Sequence, residues 1–145
     1  MDSPEKTRSF LSVLIDTPIW QNYFRKEEPT YQEVNMLMDA GRACCLGFIV
    51  AELLYNAETK EEAKVFRNFR RIFPILQEKP GLEAWVEAAH LAFRLRRRGK
   101  SLSLRDCYIA VMAKNNEVLL YTTNLELHKA RRMIGLKLFS EGKRA

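Results

Sequence analysis

Ser12-Val13-Leu14-Ile15-Asp16-Thr17-Pro18-Ile19-Trp20 is the stretch on which the fold class turns. Val13, Leu14 and Ile15, following Ser12, make a continuous apolar run with β-branched members, the pattern of a strand buried on both faces. Asp16-Thr17-Pro18 ends that run. Thr17 has the chemistry of an N-cap and Pro18 that of a first helical residue, so a helix is expected through Trp20, Tyr23 and Phe24. A buried strand leading directly into a helix is the opening of an α/β unit.

The same alternation continues outward along the chain. Pro29 to Ala40 places Tyr31, Val34, Leu37 and Met38 at helical spacing, and Gly41 follows as a stop. Ala43 to Leu46 reads as a short second strand. Gly47 to Ala57 then reads as a helix whose apolar face carries Phe48, Ile49 and Leu53, with Glu52 among them. Lys60 to Phe73, stopped by Pro74, and Leu82 to Arg98, ended by Gly99, are amphipathic helices. Leu104 to Asn115 is apolar nearly all round and is expected to be packed on both sides. Val118 to Tyr121 is a third strand, Leu125 to Ile134 a helix, and Leu136 to Phe139 a candidate to close the sheet after Gly135. Strands interleaved with helices at this spacing call for a three-layer α/β/α sandwich around a central parallel sheet. The 145 residues suit a single domain, 1–145, with no repeat, linker or low-complexity segment.

Composition limits the function. A hydrophobic fraction of 47% beside 29% charged residues belongs to a folded chain, not to a disordered or fibrous one. A net charge of +6 favours anionic partners, nucleic acid first. Three cysteines, two of them adjacent at Cys44 and Cys45, give neither a disulfide framework nor the spacing of a zinc site. The N-terminal apolar run Phe10 to Ile15, preceded by Asp2 and Glu5, is too short and wrongly flanked for a signal peptide. The stretch Cys44 to Tyr55 is interrupted by Glu52 and falls short of the ~20 residues a membrane span needs. A soluble, cytoplasmic protein is expected.

Three carboxylates stand where structure alone gives little reason for them. Asp16 lies at the carboxyl end of a strand, where ligands bind in open α/β sheets; it could be a helix cap, but Thr17 and Pro18 already supply one. Glu52 lies on an apolar stripe, and a buried carboxylate must be paired, protonated or bound to a cation. Asp106 opens the most apolar helix with Ser103 three residues before it, which is also the spacing of a capping box. Each can converge on one sheet edge, and such a cluster repels itself unless a cation neutralises it. Oxygen ligands without Cys or His select Mg²⁺ or Mn²⁺. Carboxylate-held ions of this kind hydrolyse phosphodiesters without a protein nucleophile, and neither His90 nor His128 has a Ser or Cys partner in the sequence.

Four segments now carry a family resemblance. Val13-Leu14-Ile15-Asp16-Thr17-Pro18-Ile19-Trp20, Ala51-Glu52-Leu53-Leu54, Leu104-Arg105-Asp106-Cys107-Tyr108-Ile109-Ala110 and Leu119-Leu120-Tyr121-Thr122-Thr123-Asn124 resemble, in order and spacing, the successive motifs of the PIN domain in VapC-type toxins of toxin-antitoxin pairs. The resemblance covers Ser12 to Phe139. It implies a metal-dependent endoribonuclease that leaves a 5′-phosphate and a 3′-hydroxyl, works as a homodimer, and is held by a cognate antitoxin. Asp16, Glu52 and Asp106 fall on the family's acidic positions and carry over as metal ligands, with Thr17 and Thr122 as the hydroxyls that support them.

The fourth acidic position holds Asn124. Its amide can ligate through oxygen or orient a metal-bound water, but it removes one negative charge and predicts a weaker hold on a second ion. It also suits a helix N-cap. Glu126 compensates if its turn points inward. Arg105, Lys129 and Arg132 are the candidate RNA contacts, and the Arg94, Arg96, Arg97, Arg98 and Lys100 run either neutralises phosphates or is a solvated helix end favoured by the macrodipole. The alternative function is a degenerate relative that binds RNA or a partner without cleaving. A phosphoacceptor regulator built on Asp16 would need a Lys after a late strand, and Thr122-Thr123-Asn124 offers none.

Overall fold

The computed structural model describes residues 11–72, 74–76 and 81–139. The readings that rest on Asp2, Glu5, Phe10 and Phe73 lie outside these residues. The chain divides after Leu76 into two compact units.

The first unit begins with β1 (Val13–Ile15), all three residues fully buried. It pairs in parallel with β2 (Ala43–Cys44), Val13 opposite Ala43 and Leu14 opposite Cys44. Between them run α1 (Thr17–Phe24) and α2 (Thr30–Asp39), and after β2 come α3 (Gly47–Tyr55) and α4 (Lys60–Phe69). Parallel strands need a crossover, and α1 and α2 supply it. Gly41 ends the crossover at φ 68°, a left-handed conformation that a Cβ would strain. Trp20 of α1 anchors the packing, its ring 4.6 Å from Phe69 in an edge-to-face arrangement.

The capping residue of α1 is Asp16, not Thr17 as the Thr-Pro pair suggests. Asp16 is extended (φ −71°, ψ 158°) and its Oδ1 accepts from Thr17 N at 2.8 Å. The Thr17 hydroxyl is turned to Glu52 instead. Helix α4 stops at Phe69, short of Pro74. Phe66 and Phe69 are its last buried residues, and turns donated by Arg71 N and Ile72 N follow. The chain then runs beside β2: Cys45 N donates to Pro74 O at 3.0 Å and Leu76 N to Cys45 O at 2.9 Å, a parallel bridge between Cys45 and Ile75. The residue before a proline disfavours helix, so α4 has to end before this return.

The second unit contains α5 (Gly81–Arg97), α6 (Leu104–Asn115), β3 (Leu119–Tyr121) and α7 (Leu125–Ile134). Helix α6 has the predicted bounds, is capped by Ser103, and is buried from Cys107 to Ala113, which accounts for an apolar pattern without a polar face. Helix α5 packs along it, with Trp85 stacked on Tyr108 at 4.0 Å. Gly135 closes α7 in the left-handed conformation at φ 79°. Beyond it, Leu136 to Phe139 contributes one parallel bridge, Leu120 to Leu138, and no full strand. Among the described residues no helix is long and apolar enough to cross a membrane.

Candidate functional site

In the first unit, one threonine ties two carboxylates together. The buried run Val13–Ile15 delivers Asp16 to the strand end at 2% exposure, with Thr17 at 5%. The Thr17 backbone N–H donates to Asp16 Oδ1, while its hydroxyl donates to Glu52 Oε1 at 2.6 Å. Asp16 therefore serves as cap and as buried acid together. Glu52 reaches the pair from the middle of α3, half-buried beside the fully buried Leu53. A carboxylate as enclosed as Asp16 needs compensating donors, and the first turn of α1 is where they occur.

In the second unit Asp106 is the focus. Ser103 Oγ accepts from its backbone N at 3.0 Å and sets the start of α6. Its two side-chain oxygens accept from different partners, Oδ1 from Arg105 Nη1 at 3.0 Å and Oδ2 from Asn124 Nδ2 at 2.8 Å. Asn124 is held from its other side, for its Oδ1 caps α7 by accepting from Glu126 N at 2.9 Å and Leu127 N at 3.3 Å. The amide thus presents its NH₂ to Asp106 and keeps its oxygen for the helix. Buried Thr122 accepts from Asn124 N at 3.1 Å. His128 is half-buried, and its Nε2 donates to Thr122 O at 2.8 Å.

The other candidates stand further out. Glu126 is exposed and pairs with Lys129 at 3.7 Å, so it does not turn inward. Arg132 is exposed on α7. Arg105, expected to meet substrate, is engaged with Asp106. Burial pushes the Cys107 thiol up, and the adjacent Asp106 carboxylate adds to this against the opposing Arg96.

Among the described residues no group of three or more His, Cys, Asp and Glu side chains is arranged to hold a metal ion. The donor chemistry nonetheless suits a hard cation. Asp16, Glu52 and Asp106 offer oxygen only, and Cys107, the soft group nearest in sequence, is kept a neutral thiol.

A PIN domain model matches residues 13–133, running through both units. A search of curated proteins found no significant match. Among solved structures, the chain resembles VapBC2 from Rickettsia felis bound to a promoter DNA fragment, at 19% identity and a TM-score of 0.69 over 89% of this chain and 98% of that one. DNA-bound VapBC from Salmonella typhimurium is similar at 21% identity and a TM-score of 0.69, covering 89% and 97%. A toxin-antitoxin complex from Klebsiella pneumoniae follows at 21% and 0.58, covering 78% and 87%. At these identities the likeness concerns the fold, and the fold is the layered α/β arrangement that the alternation of strands and helices calls for. With the family model spanning most of its length, the chain belongs to the PIN domain family.

Proposed function

We propose that this protein is a Mg²⁺- or Mn²⁺-dependent endoribonuclease, the toxin of a toxin-antitoxin pair. The observation that carries the reading is Thr17, which ties a nearly buried carboxylate, Asp16, to a second one, Glu52. Such an arrangement holds acid groups in place at a strand end, a costly disposition for a purely structural purpose. The likeness to toxin-antitoxin complexes supports the biological setting.

Asp16, Glu52 and Asp106 would be the metal ligands. The ion would lower the pKa of an attacking water and offset charge on the phosphate. Thr17 keeps Glu52 oriented by donating to it. Arg105 and Asn124 fix the two oxygens of Asp106, with Thr122 supporting Asn124 from below. Lys129 and Arg132 contact RNA phosphates, and Glu126 serves the α7 start. A homodimer, a cognate antitoxin and a cytoplasmic setting complete the proposal.

The test is cleavage of total cellular RNA by purified, antitoxin-free protein in Mg²⁺ or Mn²⁺, against EDTA and an Asp16→Asn control. Discrete 5′-phosphate products that vanish in both controls are expected. Folded, metal-supplied protein that cleaves nothing would sink the reading. It would leave a second one, an RNA- or partner-binding PIN protein without catalysis, which the Asn124 geometry favours because the amide oxygen is spent on capping α7.

A further inference from the structure

Three arginines near the end of α5 line a cavity of about 410 Å³ in the second unit. Arg94, Arg97 and Arg98 form its charged wall, and Leu91, Leu95 and Met133 the remainder. Among the described residues no carboxylate lines it. Leu91 and Leu95 are buried, whereas the three arginines are exposed. The intervening Arg96 is not on the wall.

Attraction to the helix C-terminus accounts for one or two cations in a last turn. It does not account for Arg94 and Arg97 in the last turn and Arg98 just beyond it lining one cavity, where like charges repel. Their convergence on a cavity is relieved by a ligand with several negative charges. Guanidinium groups match phosphate oxygens through paired N–H donors. Arg94 and Arg97 stand about one turn apart on α5, an axial rise on the order of 5 Å, with Arg98 directly following, a spacing comparable to the step between neighbouring phosphates of a single strand. The apolar floor suits a sugar or base edge. A carboxylate-bearing peptide would bring single charges on flexible side chains, a poorer match to three guanidinium groups so closely spaced.

We propose that Arg94, Arg97 and Arg98 form a binding cleft for the phosphodiester backbone of single-stranded RNA, separate from the carboxylate residues. This takes RNA as substrate, and so rests on the function proposed above.

The test measures equilibrium binding of a fluorescein-labelled, 2′-O-methyl oligouridylate in EDTA, where no cleavage intervenes. The triple variant Arg94→Gln, Arg97→Gln, Arg98→Gln is compared with the parent and with Arg67→Gln, Arg70→Gln, Arg71→Gln, which removes equal charge from exposed residues of the first unit. Affinity is expected to fall about tenfold or more in the first variant only, and its log–log salt slope to flatten by about 2, at roughly 0.7 per phosphate contact. Circular dichroism checks that both variants fold. Equal losses in the two variants, an unchanged slope, or equal competition by polyglutamate would overturn the cleft. Arginine-dependent binding by a parent that cleaves no RNA would keep the cleft and remove the nuclease. Cleavage by a parent whose triple variant binds unchanged would do the reverse.

Discussion

Asn124 donates its amide NH₂ to Asp106 Oδ2 at 2.8 Å, and the direction of that bond is set by α7, whose first amides occupy the Asn124 oxygen. An asparagine here joins an acid to a helix cap without adding charge. An aspartate would place a second carboxylate within hydrogen-bonding distance of the first, and like charges so close cannot both ionise without a cation or a shared proton.

Asn124→Asp is therefore expected to lower the melting temperature in EDTA and to make it rise with added Mg²⁺ or Mn²⁺ more steeply than in the parent. Thermal unfolding across a metal titration measures both. An identical metal response in the two proteins would show that position 124 does not tune cation binding.

Thr17→Val removes the hydroxyl that donates to Glu52 while keeping the side-chain volume. We expect about 1 to 2 kcal/mol lower stability and a loss of RNA cleavage of at least about tenfold, since a 1.4 kcal/mol change in barrier is a factor of ten. Thr17→Ser should restore most of both. Urea denaturation and cleavage rates on one RNA would settle the matter, and a fully active Thr17→Val protein would leave the bridge a purely structural device.

Ser103→Ala deletes the acceptor for Asp106 N. Loss of an N-cap costs about 1 kcal/mol, or roughly 2–4 °C in Tm for a chain of this size. Ser103→Asp should keep the cap, and calorimetry on the three proteins tests the order.

Cys44 and Cys45 are pushed by burial from an ordinary 9.0 up to about 12. Well below pH 9 both are protonated whether folded or not, so they contribute no pH dependence there. Between about 9 and about 12 the unfolded thiols ionise while the folded ones stay neutral, so stability falls as pH rises. The slope reaches about 1.4 kcal/mol per pH unit for each thiol. Urea unfolding at pH 8 and pH 10 should show it, and Cys44→Ala with Cys45→Ala should flatten it. A thiol reagent should find neither cysteine in the folded protein at neutral pH.

Much of the second unit was legible from local pattern. Helices α6 and α7 have the bounds that Ser103, Asn124 and Gly135 announce, because caps and a left-handed glycine are short-range signals. The end of α4 was not, since it depends on the chain beyond Pro74 returning beside Cys45, a contact distant in sequence. At the candidate site, sequence singled out the acids but not their hydrogen-bond partners. The Thr-Pro pair pointed to Thr17 as the cap, whereas Glu52 takes its hydroxyl and Asp16 caps instead, and which end of the Asn124 amide faces Asp106 depends on two backbone amides of α7. Glu126, two residues from Asn124, points out because the helix turns it toward Lys129.

Asp106 directly precedes seven consecutive buried residues of α6, Cys107 to Ala113. A helix enclosed on every side has no wet face from which its amides can open one at a time, so they should exchange with deuterium only when the surrounding unit opens cooperatively. The backbone behind Asp106 is then among the last parts of the molecule to loosen. Control of such a group works by occupancy, through whatever sits over it, because the scaffold beneath offers no soft mode to bend.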